Sequence, residues 1–351
     1  MLKIINCLFV VLLCFGCQKT NKDSCDDSVM SLYKMADFRV GVAADAYLLE
    51  SNPAYRNIVI NQYNVIVPVS AFLMYKLHPE QNRYDFSEYD YLIDFCKTYN
   101  KHFEGANLTW HLYIPDWITN FHGSEQDWEN LAKTHIQTIM SHYKGVVESW
   151  MIVNEALNED GTLKNTIWQQ HIGNDYIAKF FTWAHEADPN ALLFYNDYNL
   201  ESNPVKLNAA INLADMLRTR GIKIDGIGLQ MHIFSNYPTN DEINNAALKV
   251  ANHDYKVYYS ELDISSNYTS NLTSFSAAMS NQQKYVMKNI VSGYKELPKK
   301  NQYGITTWGV GDSDSWIRTS YHHIDWPLMF DDNYKSKPAY CGFIEALNDP
   351  L

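Results

Sequence analysis

Two glutamates, Glu155 and Glu261, each stand at the end of a run of strand-forming residues. The first run, SWMIVNEAL at 149–157, gives way to the turn-forming residues 158–161; the second, VYYSELDI at 257–264, precedes a polar loop. Such runs predict buried strands that present a carboxylate at their carboxyl ends. Two carboxylates placed in this way can hydrolyse a glycosidic bond, because one protonates the leaving oxygen while the other acts as nucleophile or base.

A single glutamate at a strand end is most often a solvated cap, so the surroundings of the two acids matter. Three further apolar runs, at 192–199, 225–232 and 305–310, end in Asn, Gln, His or Trp. These side chains hydrogen-bond hydroxyl groups or stack on the apolar faces of sugars. The pattern therefore favours a carbohydrate site over five unrelated strand ends.

The composition is that of a large globular protein with an acidic surface. The chain has 351 residues, of which 46% are hydrophobic and 14% aromatic, and its formal net charge is -12. Phosphate binding requires a basic stripe, and none is visible, so nucleic acid is not expected as a partner. The length would allow two domains, but an α/β barrel commonly takes about 250 residues or more as one unit.

Strand and helix patterns alternate along the body of the chain. Strands are predicted to begin near residues 37, 65, 103, 149, 192, 224, 257 and 303, each followed by a helix, which gives eight strand–helix pairs. The third strand is predicted at 103–110, and one unbroken helix at 166–187. Alternation of this kind implies parallel pairing through right-handed crossovers, and eight units close a barrel. The predicted fold is a single-domain (β/α)8 TIM barrel at 37–351.

The first residues predict export from the cell. An apolar run at 4–15 is too short to span a membrane and fits the core of a signal peptide. The end of the run resembles a bacterial lipoprotein signal, in which Cys17 would be lipidated and residues 1–16 removed. Residues 17–36 would then form a tether to the outer membrane or cell surface. Because Cys14 departs from the usual leucine, a secreted or periplasmic protein is the alternative.

Three cysteines remain in the body of the chain: Cys25, Cys96 and Cys341. An odd number with no metal-ligand spacing argues against a disulfide framework and against a zinc site. All three are therefore predicted to be buried free thiols. No metal and no cofactor are expected.

At these residues the chain resembles the family 10 glycoside hydrolases, endo-β-1,4-xylanases built on a (β/α)8 barrel. The resemblance covers about residues 38–347. It rests on motifs in the family's order, namely WMIVNEAL at 150–157, YNDYN at 195–199, DGIGLQMH at 225–232, SELDI at 260–264, WGVGD at 308–312 and PLMFDDNY at 327–334.

The resemblance implies a retaining double displacement. Glu155 would be the acid/base and Glu261 the nucleophile, while Asn154 would hold the sugar 2-hydroxyl. His232 would hydrogen-bond Glu261 and be oriented by Asp263, although a histidine in this position could also be an ordinary core residue.

Further residues would support the substrate. Gln230 would bond the nucleophile or the glycone sugar, and Trp308 and Trp316 would form the floor and wall of the cleft. The other residues that match the family's cleft are Trp110, His111 and Tyr198.

The first half of the predicted barrel departs from the family pattern. Where the family usually has Glu, Asn and Lys that grip the glycone sugars, this chain has Val69, Ser70 and Leu73, and Ala106 replaces a cleft histidine. Each lost hydrogen bond to a sugar hydroxyl is worth about 0.5 to 1.5 kcal/mol, and more if it is charged. Ordinary xylan is therefore expected to bind weakly on the glycone side.

The sequence supports one leading hypothesis and two alternatives. The leading one is a retaining hydrolase of β-1,4-xylan or a related plant β-glycan, acting as a monomer on polysaccharide or oligosaccharide. A hydrolase of a different β-linked glycan would keep the chemistry and change the substrate. A glycan-binding protein on the same barrel would explain the altered glycone positions but not the retention of both glutamates. Endo and exo action are not distinguished by these motifs.

Overall fold

The computed structural model describes residue 25, residues 27–28 and residues 30–350. The predicted signal peptide and Cys17 lie outside these residues. The described strands are β1 (Arg39–Ala44), β2 (Val65–Pro68), β3 (His102–Phe103), β4 (Ser149–Asn154), β5 (Leu192–Asp197), β6 (Gly226–Leu229), β7 (His232–Phe234), β8 (Lys256–Ser265) and β9 (Gln302–Thr307).

Helices lie between the strands and at both ends of the barrel. They are α1 (Leu32–Met35), α2 (Ala46–Ser51), α3 (Pro53–Gln62), α4 (Met74–Leu77), α5 (Ser87–Thr98), α6 (Asp116–Thr119), α7 (Glu125–His142), α8 (Ile167–Ile172), α9 (Tyr176–Ala187), α10 (Pro204–Thr219), α11 (Asn240–Asn252), α12 (Ala277–Glu296), α13 (Trp316–Tyr321) and α14 (Pro338–Asn348). Two short 3₁₀ helices cover Lys299–Asn301 and Asp312–Asp314.

The strands form one curved parallel sheet. Their spatial order is β3-β2-β1-β9-β8-β6-β5-β4, and β7 pairs with the second half of β8. Every neighbouring pair in this order is parallel. β6 and β7 together form one strand of the barrel, which is interrupted at Met231, whose φ of 64° lies in the left-handed region. Counted in this way, the eight strands confirm the predicted (β/α)8 class.

Residues 105–109 bring the two edge strands of the sheet together. The Gly105 amide donates to the Ser149 carbonyl at 2.9 Å, and the Asn154 amide donates to the Thr109 carbonyl at 3.1 Å. A Cβ atom at residue 105 would lie 2.0 Å from the Trp150 ring, so only glycine allows this approach. The backbone therefore joins β3 to β4 beside the predicted acid/base.

Two of the predicted elements are wrong in extent. The third strand was predicted at 103–110, but regular pairing ends at Phe103, and Asn107 has a φ of 35° that no strand contains. The helix predicted at 166–187 is divided into α8 and α9 at Gly173, where φ is 84°. Both irregularities follow from left-handed backbone conformations, which a hydrophobic pattern does not reveal.

The amino-terminal segment is packed against the barrel from Met30 onwards, so residues 30–36 of the predicted tether belong to the folded domain. Leu32 in α1 is fully buried, and the Tyr340 hydroxyl in α14 donates to the Met30 carbonyl at 3.2 Å. Cys25 and Cys341 form a disulfide, so the prediction of three free thiols is wrong for these two. Cys96 is free and buried, as predicted. Spacing along the sequence could not show that the two ends of the domain meet.

Candidate active site

The two predicted catalytic carboxylates lie at the carboxyl-terminal face of the barrel. Glu155 is the first residue after β4, and Glu261 lies within β8. Their side chains are 13% and 5% exposed, respectively. Since barrels of this class place their sites at this face, both side chains are where a catalytic pair belongs.

A chain of amide groups connects the two carboxylates. The Asn196 side-chain amide donates to Glu261 Oε1 at 2.7 Å and to Asn154 Oδ1 at 2.9 Å. The same Asn154 oxygen accepts from Gln230 Nε2 at 3.2 Å, and Gln230 Nε2 also donates to Glu155 Oε1 at 3.1 Å. Three neighbouring strand ends therefore fix the orientation of both acids through one continuous set of hydrogen bonds.

Asn196 itself is fixed from two sides. Its Oδ1 accepts from the Ser260 hydroxyl at 2.6 Å. On the neighbouring strand, a Cβ atom at Gly228 would lie 2.2 Å from that oxygen, so glycine makes room for the amide. Asn196 was part of a predicted polar strand end but was not predicted as a site residue. The sequence carries no local signal for this role, because only the register of β5, β6 and β8 brings Asn196 to Glu261.

The backbone at Glu155 is held in an unusual conformation. Its φ of 56° lies in the left-handed region, which costs a side-chain-bearing residue of order 1 kcal/mol. Three groups from β5 hold the chain in place. The Glu155 amide donates to the Asn196 carbonyl at 2.9 Å, the Ala156 amide to the Tyr195 hydroxyl at 3.2 Å and the Leu157 amide to Asp197 Oδ2 at 3.3 Å.

The surroundings of Glu155 favour its protonated form. Burial raises the pKa of this carboxyl, and the negative charges of Glu261 and Asp197 raise it further. The hydrogen bond from Gln230 and the ammonium of Lys164 lower the pKa, but they do not cancel the increase. A raised pKa lets a carboxyl group keep its proton to higher pH, as a general acid requires.

His232 connects the predicted nucleophile to a second buried acid. Its Nε2 lies 3.3 Å from Glu261 Oε2, and its Nδ1 lies 2.9 Å from Asp263 Oδ2. Burial lowers the pKa of His232, but Asp263 and Glu261 outweigh this effect, so its pKa is raised well above the ordinary value. In its protonated form His232 can donate a hydrogen bond to each of the two acids, one from each ring nitrogen.

Gln230 and Trp316 make contacts that were not predicted. Gln230 donates to Glu155, while His232, which follows the left-handed Met231, faces Glu261. Trp316 Nε1 donates to Asp263 Oδ2 at 2.8 Å, and its ring lies 4.9 Å from His232. Trp316 thus also helps to hold the Asp263–His232 pair.

An aromatic group extends from His232 towards β2 and β3. The Trp308 ring lies 6.4 Å from that of His232 and 6.4 Å from that of Phe72, which lies 6.4 Å from Trp110. Tyr113 continues the row at 5.4 Å from Trp110. Phe72 lies within the altered glycone segment but was not singled out as a site residue.

Among the described residues, the other predicted cleft residues form no hydrogen bond to the two carboxylates. Trp110 Nε1 and His111 Nδ1 are buried and have no hydrogen-bond partner among the described residues. Burial, with a smaller effect of Lys164, lowers the pKa of His111 to about 4. Tyr198 is linked to Glu155 only through Lys164, which was not predicted.

The altered glycone positions lie beside the aromatic row. Val69 and Leu73 are partly buried against the core, and Ala106 is 1% exposed. The Ser70 hydroxyl accepts from Lys76 Nζ at 3.0 Å, and Lys76 also pairs with Glu88. This segment therefore presents more apolar surface than the Glu, Asn and Lys of the family pattern would.

Within the described part of the chain, no group of three or more His, Cys, Asp or Glu side chains is arranged to hold a metal ion. None of the described helices is long and apolar enough to cross a membrane.

A parallel barrel with a pair of linked carboxylates at its carboxyl-terminal face defines a glycoside hydrolase. The sequence profile of glycosyl hydrolase family 10 matches residues 28–346, and the chain belongs to this family.

Known relatives agree with this assignment in sequence and fold. The endo-1,4-beta-xylanase of Geobacillus stearothermophilus is 35% identical over 319 residues, which cover 87% of this chain and 94% of that protein. Endo-1,4-beta-xylanase A of Cellvibrio japonicus is 34% identical, but this chain spans only 56% of its length. The crystal structure of native xylanase 10B from Thermotoga maritima has a TM-score of 0.85 and 31% identity, and covers 91% of this chain and 98% of its own.

Proposed function

We propose that the protein is a retaining endo-β-1,4-xylanase, or a hydrolase of a closely related plant β-glycan. The observation that carries the proposal is the chain of hydrogen bonds from Glu155 through Gln230, Asn154 and Asn196 to Glu261. It orients two carboxyl groups in unlike environments at one face of the barrel. Double displacement requires such a pair, with one acid protonated and the other ionised.

In the first step Glu155 donates its proton to the leaving oxygen while Glu261 attacks the anomeric carbon. The bond from this carbon to the leaving oxygen breaks, and an ester to Glu261 forms. His232, which lies 3.3 Å from Glu261 Oε2, holds the nucleophile in position for the attack. Asn154, whose side-chain amide donates to Glu155 at 3.2 Å, would hold the 2-hydroxyl of the sugar.

In the second step Glu155, now ionised, removes a proton from water. The water attacks the anomeric carbon and displaces Glu261, so that two inversions give overall retention. No other group is required for proton balance, because the proton lost in the first step is regained from water in the second.

The substrate class is inferred from the relatives. Several of them are named endo-1,4-beta-xylanases, and the xylanase 10B of Thermotoga petrophila, whose structure is a complex with xylobiose, has a TM-score of 0.85 with this chain. A monomeric enzyme is part of this proposal.

A different β-linked glycan is the second candidate substrate. The observation in its favour is the replacement of polar glycone contacts by Val69, Ser70 and Leu73 beside the aromatic row of Trp308, Phe72 and Trp110. Such a surface suits a sugar with fewer free hydroxyls, for example one that carries a substituent.

The protein is proposed to act at the cell envelope, anchored through a lipid on Cys17, with secretion or the periplasm as the alternative. The Cys25–Cys341 disulfide supports an oxidising compartment outside the cytoplasm. Detergent partitioning of the wild type and of Cys17→Ala tests the anchor. Wild-type protein found entirely in the medium would contradict it.

The decisive test of the activity is a panel of plant polysaccharides and aryl β-glycosides with identified products. The proposal is supported if xylan is cleaved internally and NMR shows that the β-anomer is released first. Release of the α-anomer first would contradict the retaining mechanism. If xylan is resistant while another β-glycan is cleaved with retention, the second candidate is correct. If no member of the panel is cleaved, a glycan-binding role is left.

A further inference from the structure

A short loop after Glu155 returns the chain to the same carboxylate. Leu157 and Leu163 form an antiparallel bridge, and the Asn158 amide donates to the Thr162 carbonyl at 2.8 Å. The Lys164 amide then donates to the Ala156 carbonyl at 2.8 Å. Because of this return, Lys164 lies beside the predicted acid/base although it is nine positions further along the chain.

The Lys164 ammonium lies on the side of Glu155 that faces away from the amide chain. Its Nζ is 4.0 Å from Glu155 Oε2, whereas Asn154 and Gln230 donate to Oε1. The Lys164 side chain is 16% exposed, so the charge is screened far less than a surface lysine would be. Glu155 Oε1 therefore accepts from neutral amides, whereas Oε2 lies near a cation.

Tyr198 and Lys206 fix the position of this ammonium. Lys164 Nζ donates to the Tyr198 hydroxyl at 3.2 Å. The Tyr198 ring is in turn supported by Lys206, whose Nζ lies 3.4 Å from the ring centroid. Lys206 is fully buried and pairs with Asp197 at 2.9 Å. The ammonium is thus held by a buried network and does not swing freely into solvent.

The charges around Glu155 come from three parts of the barrel. Glu261 on β8 and Asp197 on β5 are negative, while Lys164 in the loop after β4 is positive, and the neighbouring His111 is neutral near pH 7 because its pKa is about 4. Once Glu261 is esterified to the sugar it carries no charge. Lys164 is then opposed by Asp197 alone, at the stage when Glu155 must act as an ionised base.

We propose that Lys164 is a positioning residue for the acid/base, whose ammonium stabilises the ionised Glu155 needed to activate water in the second step. The inference rests on the proposed function, since it assigns a partner to the acid/base of that reaction. Loss of the cation would leave Glu155 a competent acid but a poorer base near neutral pH.

The test compares Lys164→Met, which keeps the length of the stem, with Lys164→Arg, which keeps the charge. The titration of Glu155 is followed by NMR in protein labelled with ¹³C at the glutamate carboxyls, and Glu155→Gln identifies its resonance. In Lys164→Met the titration midpoint of Glu155 should rise by about one pH unit, as expected when a cation at this distance is removed. Lys164→Arg should remain close to the wild type.

Kinetics provide the second measurement. With an aryl glycoside that has a good leaving group, water attack limits turnover, so the acid limb of the kcat profile should move to higher pH in Lys164→Met by the same amount. Lys133→Met is the matched control, because this lysine pairs with Glu186 on the helical surface. It should leave both the titration and the profile unchanged.

An unchanged Glu155 midpoint in Lys164→Met would overturn the proposal, even if activity fell, since Lys164 would then act on substrate binding and raise KM at every pH. If Lys164→Met does not fold, Lys164→Gln is measured in its place. Wild-type protein that cleaves no glycan would contradict the proposed function, while the NMR midpoint would still decide the electrostatic role of Lys164.

Discussion

Asn196 donates one side-chain amide to both Glu261 Oε1 and Asn154 Oδ1, at 2.7 and 2.9 Å. A single residue therefore sets the orientation of the nucleophile and of the amide beside the acid/base. Because the two contacts share one nitrogen, a displacement of Asn196 alters both of them.

Replacement of Asn196 is expected to reduce catalysis more than stability. A hydrogen bond to a charged group contributes about 1.5 to 3 kcal/mol, which corresponds to a decrease of roughly 10- to 100-fold in kcat/KM for Asn196→Ala. Steady-state kinetics on the best substrate measures it. Asn208→Ala is the control, since this exposed asparagine bonds Lys249 on the surface. An Asn196→Ala enzyme with wild-type kcat/KM would show that Glu261 is oriented by other groups.

Replacement of each of the two glutamates should impair a different part of the reaction. Glu261→Ala lacks the nucleophile and should not cleave any substrate. Glu155→Ala should still form the covalent intermediate from an aryl glycoside with a good leaving group, and azide should then accelerate turnover, because azide needs no general base. Product analysis for glycosyl azide provides the measurement. If both variants are equally inactive and azide rescues neither, the acid/base assignment is wrong.

Restoring the family's polar residues at the glycone side should improve the use of xylan. The triple variant Val69→Glu, Ser70→Asn, Leu73→Lys adds three groups that can bond sugar hydroxyls, each worth about 0.5 to 1.5 kcal/mol or more. The kcat/KM for xylo-oligosaccharides should rise by at least tenfold, since the three contacts combine. Thermal unfolding of the variant serves as the control for correct folding. No gain in a folded variant would mean that Phe72 and its aromatic neighbours still define the subsite.

A buried histidine pair should make the fold sensitive to acid. His78 Nδ1 lies 3.1 Å from His135 Nδ1, while their Nε2 atoms face the carbonyls of Gln81 and Leu108. Burial lowers the pKa of His78 to about 4 and that of His135 to about 3. Between the ordinary value near 6.5 and these values the unfolded chain binds more protons than the folded one. The free energy of unfolding should therefore fall as pH decreases through this range.

Urea unfolding at pH 7.5 and pH 5 tests this sensitivity in the wild type and in the double variant His78→Phe, His135→Leu. The difference between the two pH values should be smaller in the double variant, whatever its absolute stability. An equal difference in both proteins would assign the acid sensitivity to other groups.

The sequence was sufficient for the fold class and for the residues at strand ends, because the period of apolar residues and the motifs at 150–157 and 260–264 are local signals. It was insufficient where a contact depends on tertiary structure. Asn196 reaches Glu261 only through the register of the strands, and the hydrogen bond from Gln230 to Glu155 joins residues 75 positions apart.

Lys164 and the disulfide were missed for the same reason. Lys164 follows a polar loop, and only the backbone bond to Ala156 shows that the loop returns to Glu155. Cys25 and Cys341 are separated by 316 positions, and nothing in their local sequences relates one to the other.

The Cys25–Cys341 bond also makes almost the entire catalytic domain a covalent ring. A protease that cuts any exposed loop between these residues opens the ring without releasing a fragment, since both products stay joined through the two sulfur atoms. If the protein is anchored ahead of Cys25, a nicked molecule would keep both parts at the cell surface, where hydrogen-bonded strands could hold the barrel together. In an environment that contains proteases, this connectivity would keep the cut chain together as well as stabilise the fold.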